Sequence, residues 1–129
     1  MSMKYLLMAT TVIEAGAGVA LLGYPSTTIA LLLGSQFDAP PSLTIVRVIG
    51  AVLIALGIAC WFASRSTRQQ TTRGMVSVMA VYNPCAAIAL GVVGMRVLPA
   101  GILLWPAVAL HTVMEVWCIV CLMKSPSTA

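Results

Sequence analysis

Residues 43–64 read LTIVRVIGAVLIALGIACWFAS, and Arg47 is the only charge among them. As an α-helix rising about 1.5 Å per residue, the run is roughly 33 Å long. That matches the ~30 Å hydrocarbon core of a bilayer. A helix on the surface of a soluble domain keeps one polar face, whereas this run is apolar on every side. It therefore predicts a membrane span, and residues 4–23, 75–97 and 101–123 repeat the pattern. Backbone polar groups in hydrocarbon must bond within their own segment, so the spans are helices and the fold is all-α.

Composition points the same way. Of the 129 residues, 60% are hydrophobic and 8% charged, against about 25% charged in an ordinary soluble domain. The length allows one domain. The net charge of +4 comes from residues that flank apolar runs, which is how topology is written and not how nucleic acid is gripped. There is no aromatic-interleaved basic patch, no Gly-rich phosphate loop and no nucleophile elbow. The opening MSMKYLLMATTVIEAGAGVA has the outline of a secretory leader. Glu14 would interrupt the apolar core of such a leader, so the segment is read as a true span.

Between the first two spans lies YPSTTIALLLGSQFDAPPS. Residues 26–34 form an apolar run too short to cross, which predicts an interfacial helix. Pro40 and Pro41 are expected to stop the chain before the second span. The polar, basic residues 65–74 predict a loop. Leu98 to Gly101, LPAG, predicts a tight turn that makes the last two spans antiparallel. Arg65, Arg68 and Arg73 lie in the predicted loop, with Lys4 and Lys124 near the two ends of the chain. Four spans put these three places on one side, so both termini are expected to be cytoplasmic. Asp38 and Arg96 fall on the other side.

Lipid tails are as apolar as leucine, so close helix contact needs small residues. Each span sets small residues in line with a polar one: Glu14 with Gly18; Arg47 with Ala51, Ala55 and Ala59; Asn83 with Ala87 and Gly91; Ala107 with His111 and Glu115. These stripes are expected to face the interior. Depths agree as well. Glu14 and His111 each come out about 14–15 Å below the outer end of their spans. Asn83 and Glu115 both come out near 20 Å, and Arg47 only about 6 Å down. One polar column of Arg47, Glu14, Tyr82, Asn83, His111 and Glu115 is expected, with Arg47 reaching down to Glu14.

Charged groups at such depth pair, face inward and often serve a function. The column has several readings. It can fix helix register and nothing more. It can hold a metal through Glu14, His111 and Glu115, since bundles build carboxylate/histidine sites from inward-facing residues. It can place His111 on a haem. It can also bind a cation, relay protons, or seat a lipid-like or quinone-like ligand. Pro84 is expected to kink the third span at Asn83-Pro84, which would free the Ala80 carbonyl to line such a cavity.

Two resemblances bear on function. Cys118-Ile-Val-Cys121 resembles the active-site C-x-x-C of the vitamin K epoxide reductase family, which implies quinone reduction by Cys118 and Cys121. That family recharges the pair through cysteines in a loop, whereas Cys60 and Cys85 here lie inside predicted spans. More broadly, RVIGAVLIALGIACWFA, YNPCAAIAL and LLWPAVALHTVMEVWC resemble segments of DoxX-like small bacterial membrane proteins. This resemblance implies a four-helix protein of the bacterial inner membrane, and some members of such families accompany redox enzymes as membrane subunits. The expected object is an integral membrane antiparallel four-helix bundle with a short interfacial helix. Its expected role is a non-enzymatic subunit or binding protein, partnered by lipid and by its own copies or a membrane complex. A redox or metal/haem-dependent enzyme and a proton- or cation-coupled carrier are the alternatives.

Overall fold

A computed structural model describes residues 2–35, 39–96 and 99–124. The described residues form five α-helices: α1 Met3–Gly23, α2 Pro25–Leu33, α3 Pro40–Arg65, α4 Gln69–Arg96 and α5 Leu104–Lys124. The bundle is all-α, and α1, α3, α4 and α5 are each long and apolar enough to cross a membrane. Asp38 and Leu98, which figured in the predicted topology and turn, lie outside the described residues.

Local chemistry sets the helix ends. The Ser2 hydroxyl caps α1 by accepting from the Lys4 N–H at 3.3 Å. Proline opens α2 and α3. Pro40 and Pro41 therefore begin the second long helix instead of stopping the chain before it. The first-turn N–H groups have no intrahelical acceptor, so proline loses nothing there. α2 ends at Gly34, whose φ of 74° supplies the left-handed turn. Its nine residues span about 13–14 Å, too short to cross. The predicted 65–74 loop is a second correction, because α4 begins at Gln69 and only 66–68 connect it to α3. Thr72 shows why this segment is ordered: it is buried, and its hydroxyl donates to the Ala63 carbonyl of α3 at 3.1 Å. α4 runs through Pro84 as one continuous helix.

The long helices form two antiparallel pairs, α1 with α3 and α4 with α5. In the first, Gly18 faces Gly50 and Gly57 faces Ala15 and Thr11. In the second, Gly94 faces Leu104, while Asn83 meets His111 and Cys118. Direct contact between the pairs is sparse by comparison. All four helices converge at the end where α1 and α4 begin. There Leu6, Leu7, Cys60, Ala63, Val76, Met79, Met114, Cys118 and Cys121 make one buried cluster. At the opposite end α2 folds back across the bundle. Thr28 donates to the Ala20 carbonyl at 3.1 Å, and the Leu103 N–H to Leu31 at 2.9 Å.

The outer surface is lined by large apolar side chains, among them Val12 at 73% exposure and Val81 and Ile88 at 66%. The expected inward stripe of α3 is a third correction. Arg47, Ala51, Ala55 and Ala59 are all exposed, and the buried face of α3 carries Gly50, Gly57, Cys60, Ala63 and Ser64. Glycine admits α1 closer than alanine does, so the glycine face takes the contact.

Candidate functional site

The polar side chains of α1, α4 and α5 meet midway along the bundle, just beyond the apolar cluster. Glu14, only 3% exposed, is delivered by the same face of α1 as Gly18. The close seam with α3 leaves that face turned inward. The Tyr82 hydroxyl of α4 donates to Glu14 Oε2 at 3.0 Å. Asn83, 2% exposed, turns the other way and serves α5. Its amide nitrogen donates to the Met79 carbonyl at 3.0 Å and lies 3.9 Å from Cys118 Sγ. The Asn83 oxygen is thereby left to accept, 3.0 Å from His111 Nδ1. This assigns the proton of the neutral imidazole to Nδ1 and its lone pair to Nε2. The Tyr82 and His111 rings meet edge to face, with centroids 5.7 Å apart at 79°. The geometry thus runs Glu14, Tyr82, His111, Asn83, Cys118, and crosses from α1 through α4 to α5.

Four of the six expected column residues are brought together: Glu14, Tyr82, Asn83 and His111. Arg47 is not among them. It is exposed and lies about 15 Å along α3 from Gly57, the residue that faces Ala15. The Gly18–Gly50 crossing fixes that register and keeps Arg47 near the far end. Glu115 lies level with Asn83 along the bundle, since Asn83 meets residues on either side of it in α5. Its Oε2 nevertheless is buried with no hydrogen-bond partner. Among the described residues no three His, Cys, Asp or Glu side chains gather as a metal-ligating group, so Glu14, His111 and Glu115 do not form the expected donor set. Glu14 is engaged by Tyr82 and His111 Nδ1 by Asn83, which leaves His111 Nε2 as the donor a metal or haem iron would find.

Cys118 and Cys121 are thiols buried in the apolar cluster, as is Cys60, while Cys85 is exposed. The part-buried Thr11 was not anticipated. Thr11 of α1 donates to the Leu7 carbonyl at 2.9 Å and to Gly57 of α3 at 3.1 Å, so it bridges the glycine seam. The signal for it is a hydroxyl in an apolar span, one helical turn before the already suspect Glu14–Gly18 line.

No family model, curated protein or solved structure matches this chain.

Proposed function

We propose that the chain is a polytopic membrane protein of the bacterial inner membrane, DoxX-like in kind, that works as a non-enzymatic subunit or binding protein. In this reading the chain of Glu14, Tyr82, His111 and Asn83 is the joint that fixes one helical pair against the other. One observation carries it: four of the polar groups at mid-depth answer one another, carboxylate to phenol and imidazole to amide. Such groups are costly in hydrocarbon unless partnered, and here partners come from within the chain. The orientation follows from charge. Lys4, Arg65, Arg68, Arg73 and Lys124 gather at one end of the bundle, which the positive-inside rule makes cytoplasmic, together with both termini.

Native mass spectrometry from mild detergent, with absorbance and metal analysis of the same sample, tests the role. A second copy, a partner chain or a lipid-like ligand in fixed stoichiometry is expected. A Soret band or one metal per chain, lost on His111→Leu, would overturn the reading in favour of an enzyme. The carrier alternative draws on the unpartnered Glu115 Oε2, since a carrier needs an unsatisfied carboxylate at depth. Ion flux in proteoliposomes that is unchanged by Glu115→Gln would remove it.

A further inference from the structure

Five of the seven cationic side chains lie at the end of the bundle where α1 and α4 begin and α3 and α5 end. The acidic side chains of the described helices are elsewhere: Glu14 and Glu115 lie deep within α1 and α5. No acidic side chain among the described residues compensates this end. Two of its arginines are already engaged. Arg73 donates to the Leu122 carbonyl at 3.4 Å, and the Arg65 guanidinium stacks on the Trp61 ring at 4.3 Å. Lys4 and Lys124 are not engaged: neither ammonium is bonded among the described residues. Both line one cavity of about 300 Å³.

The cavity is built from four helix ends. Its wall includes Ser2 and Gln69, at the beginnings of α1 and α4. Its inner side reaches the buried Thr72 and Cys121, so it penetrates to the edge of the apolar cluster. Two helices begin and two end here, so their dipoles largely offset, and the positive charge of the cavity comes from its two lysines. The volume lies at the small end of ligand pockets. It suits a headgroup rather than a whole lipid.

We propose that this cavity binds a phosphate-bearing anion, either the headgroup phosphate of an anionic lipid or a free phosphate, with Lys4 and Lys124 as its charge partners. The lipid arm rests on the membrane reading above; the phosphate arm does not. The test is lipid counting by native mass spectrometry on the full chain in neutral detergent, titrated with phosphatidylglycerol and, separately, with inorganic phosphate. Lys4→Gln/Lys124→Gln is expected to weaken binding by about tenfold or more. Arg65→Gln/Arg96→Gln removes the same charge from outside the cavity and is expected to change it less than about twofold. Lys4→Arg/Lys124→Arg should retain binding. Competition by phosphate at the lipid's own concentration would make free phosphate the ligand, and its failure would make it lipid. Equal weakening by the two Gln pairs, or by neither, would overturn the site. Both pairs alter exposed residues, and equal thermal midpoints verify that folding is intact. A haem or metal found in the protein would sink the non-enzymatic reading without touching this result.

Discussion

Where α1 crosses α3, backbone meets backbone; where α4 crosses α5, side chains meet side chains. A Cβ placed on Gly18 would lie 2.6 Å from the Gly50 carbonyl oxygen and 2.9 Å from the Ile54 nitrogen. A Cβ on Gly94 would instead meet the tip of Leu104 and the ring of Trp105. The first seam is closed by atoms that cannot move without moving a helix. The second is closed by atoms that can rotate, and its specificity comes from the Asn83–His111 bond. One pair is rigid by shape, the other by hydrogen bonding, and Tyr82 joins them through Glu14.

The hardest blow to that contrast is a side chain in the glycine seam. Gly18→Ala should cost about 1–3 kcal/mol through overpacking, and Gly18→Leu should separate α1 from α3. Gly94→Ala should cost less than about 1 kcal/mol, because the Leu104 tip can change rotamer. Gly16, whose added Cβ would meet nothing within 4 Å, is the control, and Gly16→Ala should be neutral or slightly stabilising. Unfolding by SDS titration from mixed micelles ranks the four. If Gly18→Ala and Gly94→Ala were equally mild, the two seams would not differ in kind.

The seams also show which parts of the structure were legible in the sequence. The long helices were, because length and apolarity alone decide whether a segment can cross. So was the shared level of Glu14, His111 and Asn83 along the bundle, because rise per residue is constant. The working face of α3 was not. Arg47 with Ala51, Ala55 and Ala59 makes a regular stripe, whereas Gly50, Gly57 and Cys60 share a face without four-residue regularity. The choice between two small-residue faces depends on the shape of α1, which periodicity within α3 does not contain. The start of α4 was hidden for a related reason: Gln69 to Arg73 read as loop by polarity. They are helical because Thr72 finds the Ala63 carbonyl on another helix.

Asn83→Leu attacks the second pair. It strands His111 Nδ1 without its acceptor and removes the amide near Cys118. A buried donor left unpaired costs about 1–3 kcal/mol, so this should be the most damaging single change in the α4–α5 seam. His111→Phe in the same background should recover part of the loss, since both members of the bond would then be apolar. The double-mutant cycle, read by the same titration, measures the bond itself. Zero coupling would show that the α4–α5 pair relies on packing alone.

The Tyr82–Glu14 bond tests whether the pairs are joined by chemistry or merely by proximity. Tyr82→Phe keeps the ring against His111 and deletes only the hydroxyl. Hydrogen bonds measured between helices in membranes average about 0.6 kcal/mol and reach about 1.7. A loss near the upper value is expected here, because Glu14 is 3% exposed and water is not at hand to replace the phenol. Glu14→Gln preserves an acceptor oxygen and should cost less. A cysteine pair reporting the α1–α4 distance should widen in Tyr82→Phe while an α1–α3 pair does not.

Thr11→Val is the mildest change within the seams themselves and isolates what a single hydroxyl adds to a seam already closed by shape. Thr11 donates to Leu7 within α1 and to Gly57 across the seam. Valine keeps its volume and β-branching. The Gly57 carbonyl retains its own helical bond, so no group is left without a partner. The expected loss is therefore about 0.5 kcal/mol, near the membrane average for such bonds. The contrast predicts non-additivity with the glycines. In a Gly18→Ala background α1 has already moved from α3, the hydroxyl no longer reaches Gly57, and Thr11→Val should then cost nothing. If it still costs the full amount, Thr11 acts through Leu7 alone, and the rigidity of the first pair owes nothing to hydrogen bonding across the seam.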